Sequence, residues 1–232
     1  MLEVAGMNAY RGAAHIVRNL SLTVGDGEAV GLVGRNGAGK TSTMESIIGL
    51  LPVRSGAIRL RGQDITRRPT HARARLGIGY APDDCRIFPD LSVAENLQIS
   101  RWLARGAGAA EADERIQAVF PEIRDLLTRR GLNLSGGQKK MVAIARAMAL
   151  QPTVLLLDEP FEGLAPVVVS RFIEAVQKIK GMGISILMAE SNLASAARAV
   201  DRLYAIDRGE IIFQGTPQTA LADPTLMQTI RG

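Results

Sequence analysis

The sequence predicts an α/β protein built on a parallel sheet, with a helical segment inserted in its middle. Three observations predict it. Apolar strand-like runs alternate with helical patterns at both ends of the chain, which argues a parallel core. The run Glu28–Val33 leads into a glycine-rich loop and then a helix. From Ser92 to about Leu150 the pattern is helical almost throughout.

The elements follow in order. The opening segment alternates loosely. Glu28-Ala29-Val30-Gly31-Leu32-Val33 is continuous enough to be a buried strand. Helical spacing runs from Thr41 to about Leu50, and Leu51-Pro52 with Ser55-Gly56 stop it. Ala57 to Gly62 reads as a strand and turn, followed by a short arginine-rich helix and a strand at Ile78-Gly79-Tyr80 that Pro82 breaks. Ser92-Val93-Ala94-Glu95 has capping-box spacing. Ala112 to Arg130 carries apolar residues at helical intervals, interrupted at Pro121. Val154–Leu157 is a fully apolar strand, Pro166–Lys180 a helix and Ile184–Met188 a strand. A helix through Ala199 and a hairpin over Leu203–Gln214, turning at Asp207-Arg208-Gly209, precede a tail of short helices.

Composition bounds the function classes. The chain has 232 residues, 47% of them hydrophobic, and one cysteine, Cys85. Disordered, collagen-like and small disulfide-stapled classes are excluded. A lone cysteine fits a reducing compartment. The start of the chain lacks the pattern of a signal peptide, and no apolar run reaches the ~18 residues of a membrane span. The charge is uneven: residues 1–80 hold 11 bases and 5 acids, residues 81–232 hold 17 and 18. Much of the surplus lies in Arg54–Arg75, with seven arginines against Asp64. We read it as a solvated face, open to anionic lipid or an acidic partner; no nucleic-acid partner is expected.

Three motifs carry chemistry. Gly34-Arg35-Asn36-Gly37-Ala38-Gly39-Lys40-Thr41 fits the phosphate-loop spacing G-x-x-x-x-G-K-[ST]. Its glycines let backbone N–H groups converge on phosphate oxygens, and the helix that follows aims its positive end at the same anion. Lys40 is expected at the β- and γ-phosphates and Thr41 at Mg²⁺. The word alone says a P-loop NTPase and no more. The second motif is the apolar strand ending in Asp158-Glu159, 118 residues beyond Lys40. Asp158 is expected to hold Mg²⁺, and Glu159 to polarise the attacking water. The third is Leu134-Ser135-Gly136-Gly137-Gln138 at the start of a strong helical run. It is a second helix end able to hold an anion through backbone N–H groups and a hydroxyl. Two phosphate-seeking helix ends in one chain suggest a sandwich dimer, each subunit closing on the other's ATP.

Gly34–Thr41, Leu134–Gln138 and Val154–Pro160, in that order and spacing, resemble the ATPase subunits of ABC transporters along essentially the whole chain. More narrowly, the chain is similar to the LivF type of branched-chain amino acid uptake. Gly77–Pro82, Ile87-Phe88-Pro89, Leu91–Leu97, Gly163–Pro166 and Leu221–Pro224 support that. Urea and short-amide importers use similar ATPases.

The resemblance implies one ABC ATPase domain over 1–232. Residues 1–84 and 152–232 form a RecA-like parallel core with an antiparallel β subdomain, and 85–151 an inserted helical subdomain. It implies an ATPase using ATP and Mg²⁺, with Ser42 joining the phosphate loop. Tyr10 takes the place of an aromatic that stacks on adenine. Asp83 stands where the family has a glutamine that contacts Mg²⁺ and links to the transmembrane partner; the shorter, negatively charged side chain is still expected to reach the ion, with altered geometry, and Asp84 could share that role. Ser191 stands where most members carry a histidine reaching the γ-phosphate, and neither His15 nor His71 is placed to substitute. Ala165 replaces a common aspartate after the acidic pair.

Implied partners are a second ATPase subunit, LivG-like or a copy of itself, transmembrane permeases docking near Asp83–Leu97, and indirectly an external substrate-binding protein. The implied location is peripheral, on the cytoplasmic face of a bacterial inner membrane. The competing classes lack support: there is no guanine-specificity word, a kinase lid leaves Leu134–Gln138 unexplained, and non-transport ABC proteins usually carry a coiled coil or a second ATPase unit.

Overall fold

The computed structural model describes residues 1–104 and 108–231. Two sheets organise the chain. The first is antiparallel in the order β2-β1-β4-β5, from β1 (Leu2–Arg11), β2 (Ala14–Val24), β4 (Val53–Leu60) and β5 (Gln63–Asp64). The second has the order β10-β9-β3-β8-β7-β6, from β3 (Ala29–Val33), β6 (Ile78–Ala81), β7 (Val154–Asp158), β8 (Ser185–Glu190), β9 (Arg202–Asp207) and β10 (Glu210–Gly215). It is parallel apart from the β9–β10 hairpin.

The alternation of each central strand divides its side chains between two cores, as the two-residue period of a strand requires. Leu155 and Leu157 of β7 face one core with Ile186 and Met188 of β8. Val154 and Leu156 face the other with Leu187 and Ala189. The first core is filled by α5 (Gly136–Met148) and α6 (Pro166–Gly181), and by Leu193, Ala220 and Leu226 of α7 (Leu193–Ala197), α8 (Pro217–Leu221) and α9 (Pro224–Arg231). The second holds α1 (Lys40–Ile48) between the two sheets, through Met44, Ile47 and Ile48. Burying each such side chain contributes roughly 1.5–3 kcal/mol.

Helix α1 ends at Gly49, whose φ of 89° closes the helix in the left-handed region. Ser55-Gly56 therefore does not stop the helix; it lies inside β4. Gly56, at φ +96°, sits where a Cβ would come within 2.4 Å of the Gly6 carbonyl oxygen. The arginine-rich helix forms as α2 (Thr70–Arg75). One arginine of that stretch is no part of a solvated face. Arg73 is buried and donates to the Ser46 and Ile47 carbonyls at 2.7 Å, near the end of α1. A cation there also complements the helix dipole.

Between the neighbouring strands β6 and β7 the chain forms α3 (Val93–Leu103), α4 (Ala109–Val119), 3-10 turns over Pro121–Leu126 and Gly131–Asn133, and then α5. The expected capping box at Ser92 is present, with Glu95 closing it. No helix among the described residues is long and apolar enough to cross a membrane.

Candidate functional site

Strand β3 delivers Gly34–Gly39 beneath the β9–β10 hairpin. A Cβ on Gly34 would lie 2.3 Å from the Ile206 carbonyl oxygen, so only glycine fits there. Gly39 caps α1 at φ 112°, and no side chain caps that helix end. Its first-turn N–H groups are thus left for an outside acceptor. Arg35 pairs with Asp207 at 3.1 Å and holds the loop to the hairpin.

Lys40 is 4% exposed. Its ammonium donates to the carbonyls of Gly34 at 2.7 Å and Arg35 at 3.1 Å, and it pairs with Glu159 Oε1 at 3.0 Å. All three of its donors are engaged. A phosphate arriving at the loop competes with Glu159 for this cation.

Glu159 follows the last residue of β7 with φ 47°, in the left-handed region. Its N–H donates to the Ala189 carbonyl at 3.0 Å. Its Oε2 accepts from the Ser191 N–H at 3.1 Å and the Ser191 hydroxyl at 3.0 Å. Asp158 is buried beside it. Thr41 Oγ1 donates to its Oδ1 at 3.3 Å and the Tyr80 hydroxyl donates to its Oδ2 at 3.2 Å. Burial pushes the Asp158 carboxyl up to about 6, against the pull of those two bonds.

A cleft of about 440 Å³ lies over this group, lined among others by Asn36, Gly37, Lys40, Thr41, Ser42, Asp83 and Glu159. Its ligands are hard oxygens. Among the described residues there is no cluster of three His, Cys, Asp or Glu side chains able to hold a metal. One carboxylate and one hydroxyl fit Mg²⁺, which typically takes one or two carboxylates and completes its shell with water and phosphate.

Asp83 lines the cleft, but its Oδ1 accepts from Lys140 at 3.1 Å. Ser191 stands outside the cleft lining, turned onto Glu159. Tyr10 also stands outside it, stacked on His15 with ring centroids 4.3 Å apart and planes within 5°. Ala38 is buried in the core between the sheets. Ser135 caps α5, accepting from the Gln138 N–H at 3.4 Å, while Gln138 Oε1 accepts from the Ser135 N–H at 3.0 Å. Ser135, Gly136, Gly137 and Gln138 lie on the surface or at its edge, away from the chain's own cleft.

Sequence reasoning missed Tyr80, Lys140, Arg11 and Glu190. Arg11 reaches α1, bonding Ser42 at 3.3 Å and pairing with Glu45. Glu190 is buried and accepts the Phe161 N–H at 2.8 Å. A charged residue ending an apolar strand, as at Glu190, was the one signal available.

Cradle, buried acid pair and second glycine-rich helix end define a nucleotide-hydrolysing cassette, and residues 17–162 match the ABC transporter family. The lipopolysaccharide export system ATP-binding protein LptB of Escherichia coli K12 is 37% identical over 226 residues, 97% of this chain and 93% of that one. The corresponding Haemophilus influenzae protein is 38% identical over 222 residues, 94% and 91% of the two chains. A probable ABC transporter ATP-binding protein of Azorhizobium caulinodans is 37% identical over 233 residues, 100% and 83%. In structure the chain is similar to an ATP-binding cassette of an ABC transporter in its ADP conformation, with a TM-score of 0.82 and 25% identity, covering 100% of this chain and 98% of that one.

The chain belongs to the ABC transporter ATP-binding family. It is an ATPase that binds ATP with Mg²⁺, and its fold is that of ABC cassettes. Subunits of this family dimerise and pair with transmembrane components. The narrower expectation is corrected. Uptake of branched-chain amino acids, or of urea and amides, does not stand, because the relatives with a named cargo that align along nearly the whole chain are lipopolysaccharide export proteins. Of the LivF-type words, Gly77–Pro82 is chiefly strand β6 and Gly163–Pro166 leads into α6, so both belong to the frame of the ATPase whatever the cargo. The LivG-like subunit, the amino-acid permeases and the external binding protein lose their support with that reading.

Proposed function

We propose that this chain drives its transmembrane partner by closing as a dimer over two ATP molecules and opening again on hydrolysis. The Lys40–Glu159 ion pair carries the reading. The two buried charges pair at 3.0 Å. ATP draws Lys40 to its β- and γ-phosphates, and the Glu159 carboxylate is released to orient water.

Thr41 and Asp158 would hold Mg²⁺, which would supply charge neutralisation on the phosphates. Gly34, Arg35, Asn36, Gly37, Ala38, Gly39 and Ser42 shape the loop around them, and Tyr10 would have to exchange its His15 partner for the base to stack on it. Asp83 lines the edge of the cleft, paired with Lys140. The Ser135–Gln138 end of a second copy closes on the γ-phosphate, since its own chain places it away from its own cleft. Residues 85–151 serve as the arm that carries that end.

For the cargo, similarity along the chain to lipopolysaccharide export proteins supports a role in export of that kind. We place the chain at the cytoplasmic face of the membrane that holds its partner.

A Glu159→Gln chain tests the mechanism. It should retain ATP and run as a dimer in gel filtration with Mg-ATP; a chain that stays monomeric and turns over ATP normally overturns it. Co-purification from native membranes tests the cargo: amino-acid permeases in place of export components overturn the export reading.

A further inference from the structure

Three separate elements meet at one ammonium. Lys140 lies one turn into α5, Asp83 just after β6 and Glu159 just after β7. Lys140 Nζ donates to Asp83 Oδ1 at 3.1 Å and to the Glu159 carbonyl oxygen at 2.5 Å. Its side chain is largely buried, while that of Asp83 is nearly half exposed.

The Glu159 peptide needs such a partner. A left-handed φ on a residue other than glycine costs about 1–3 kcal/mol and persists only where its surroundings over-determine it. Its N–H is held by Ala189 and its carboxylate by Lys40 and Ser191. Its carbonyl accepts from the Glu162 N–H of its own turn at 3.2 Å and from Lys140, which among the described contacts is its only tie to another element. Turning that peptide would swing the carboxylate away from the cleft. Lysine is also scarce here, with five in the chain against 23 arginines.

We propose that Lys140 is a positioning residue for ATP hydrolysis, tying the Glu159 peptide and the Asp83 carboxylate to helix α5. The helix whose first residues are Gly136 and Gly137 thereby sets where the water-orienting carboxylate of the same chain points. The proposal rests on the role given to Glu159 above. Asp83 acts through Lys140, so the charged residue that departs from the family's glutamine has its counter-ion inside the same chain.

The test is steady-state ATPase kinetics on the purified chain with Lys140→Met, Lys140→Arg, Asp83→Asn and the Asp83→Asn/Lys140→Met double variant, beside nucleotide affinity measured with a fluorescent ATP analogue. Misplacing a reacting group by an ångström costs about 100-fold, so Lys140→Met should lower kcat about 10- to 100-fold with KM and nucleotide affinity unchanged. Lys140→Arg keeps a donor for both oxygens and should recover most of the loss. The double variant should be no slower than Lys140→Met, the non-additivity of groups acting as one unit. A Lys140→Met chain with parental kcat overturns the proposal. So does one whose turnover falls only in step with nucleotide affinity, or a Lys140→Arg chain that folds normally and is as slow as Lys140→Met. Glu159→Gln failing to retain ATP removes the role of Glu159 instead, a result read without touching Lys140.

Discussion

The Ser191 hydroxyl donates to Glu159 Oε2 at 3.0 Å, and the Ser191 N–H reaches the same oxygen at 3.1 Å. Both groups of Ser191 thus turn onto the carboxylate of Glu159, outside the lining of the cleft. Removing the hydroxyl leaves the N–H in place. A hydrogen bond of this kind is worth about 1 kcal/mol, so Ser191→Ala should slow turnover about fivefold with KM for ATP unchanged. A loss of several orders of magnitude in a single-turnover assay would assign the hydroxyl a direct role at the phosphate.

Lys40 and Glu159 form an ion pair with both side chains buried. Breaking a buried pair from one side costs about 3–5 kcal/mol, because a charge is left without its partner. Lys40→Ala should therefore lower both nucleotide affinity and the melting temperature, the latter by about 10 °C at this chain length. Lys40→Ala/Glu159→Gln should regain much of the melting temperature and none of the affinity. Differential scanning calorimetry and nucleotide titration separate the two effects.

The Tyr80 hydroxyl holds Asp158 Oδ2 at 3.2 Å. Outer partners of metal-binding carboxylates matter about 10- to 100-fold in metal affinity. Tyr80→Phe should shift the Mg²⁺ concentration for half-maximal ATPase upward by about that factor, with maximal rate at saturating Mg²⁺ largely preserved. Titrating Mg²⁺ at fixed ATP measures it.

Burial pushes the Glu190 carboxyl from its ordinary 4.5 up to about 8. Between those values the folded chain binds more protons at this site than the unfolded chain does. The contribution of Glu190 to stability therefore falls as pH rises through that window. Glu190→Gln, which keeps an acceptor for the Phe161 N–H, should gain melting temperature over the parent above pH 8 and show no gain near pH 4.5. An equal difference at both ends would assign the effect to packing.

The phosphate loop, the acid pair and the α5 cap were legible because each is a local word whose spacing enforces its geometry. The central strands were legible through their uninterrupted apolar runs. Ser55-Gly56 misled because glycine marks both helix stops and bulged strands, and only the partner strand at Gly6 decides between them. Tyr80, Lys140 and Arg73 were missed because their roles come from distant segments: Asp158 and Glu159 for the first two, and the carbonyls near the end of α1 for Arg73. The cargo was misread because no residue of the nucleotide cleft touches cargo. A resemblance carried by the frame of the ATPase says little about what a partner transports.

The strand that carries the phosphate loop, β3, lies in the sheet between β8 and β9, and Gly209 of the hairpin turn donates to the Ala38 carbonyl at 2.8 Å. During synthesis, Gly34–Thr41 therefore leaves the ribosome long before the segments that give it shape. Pairings this distant in sequence form slowly. A nascent chain halted before the hairpin carries the whole phosphate-loop sequence and lacks its mould. Nucleotide affinity should accordingly arise late and abruptly, as the last strands of the sheet are added.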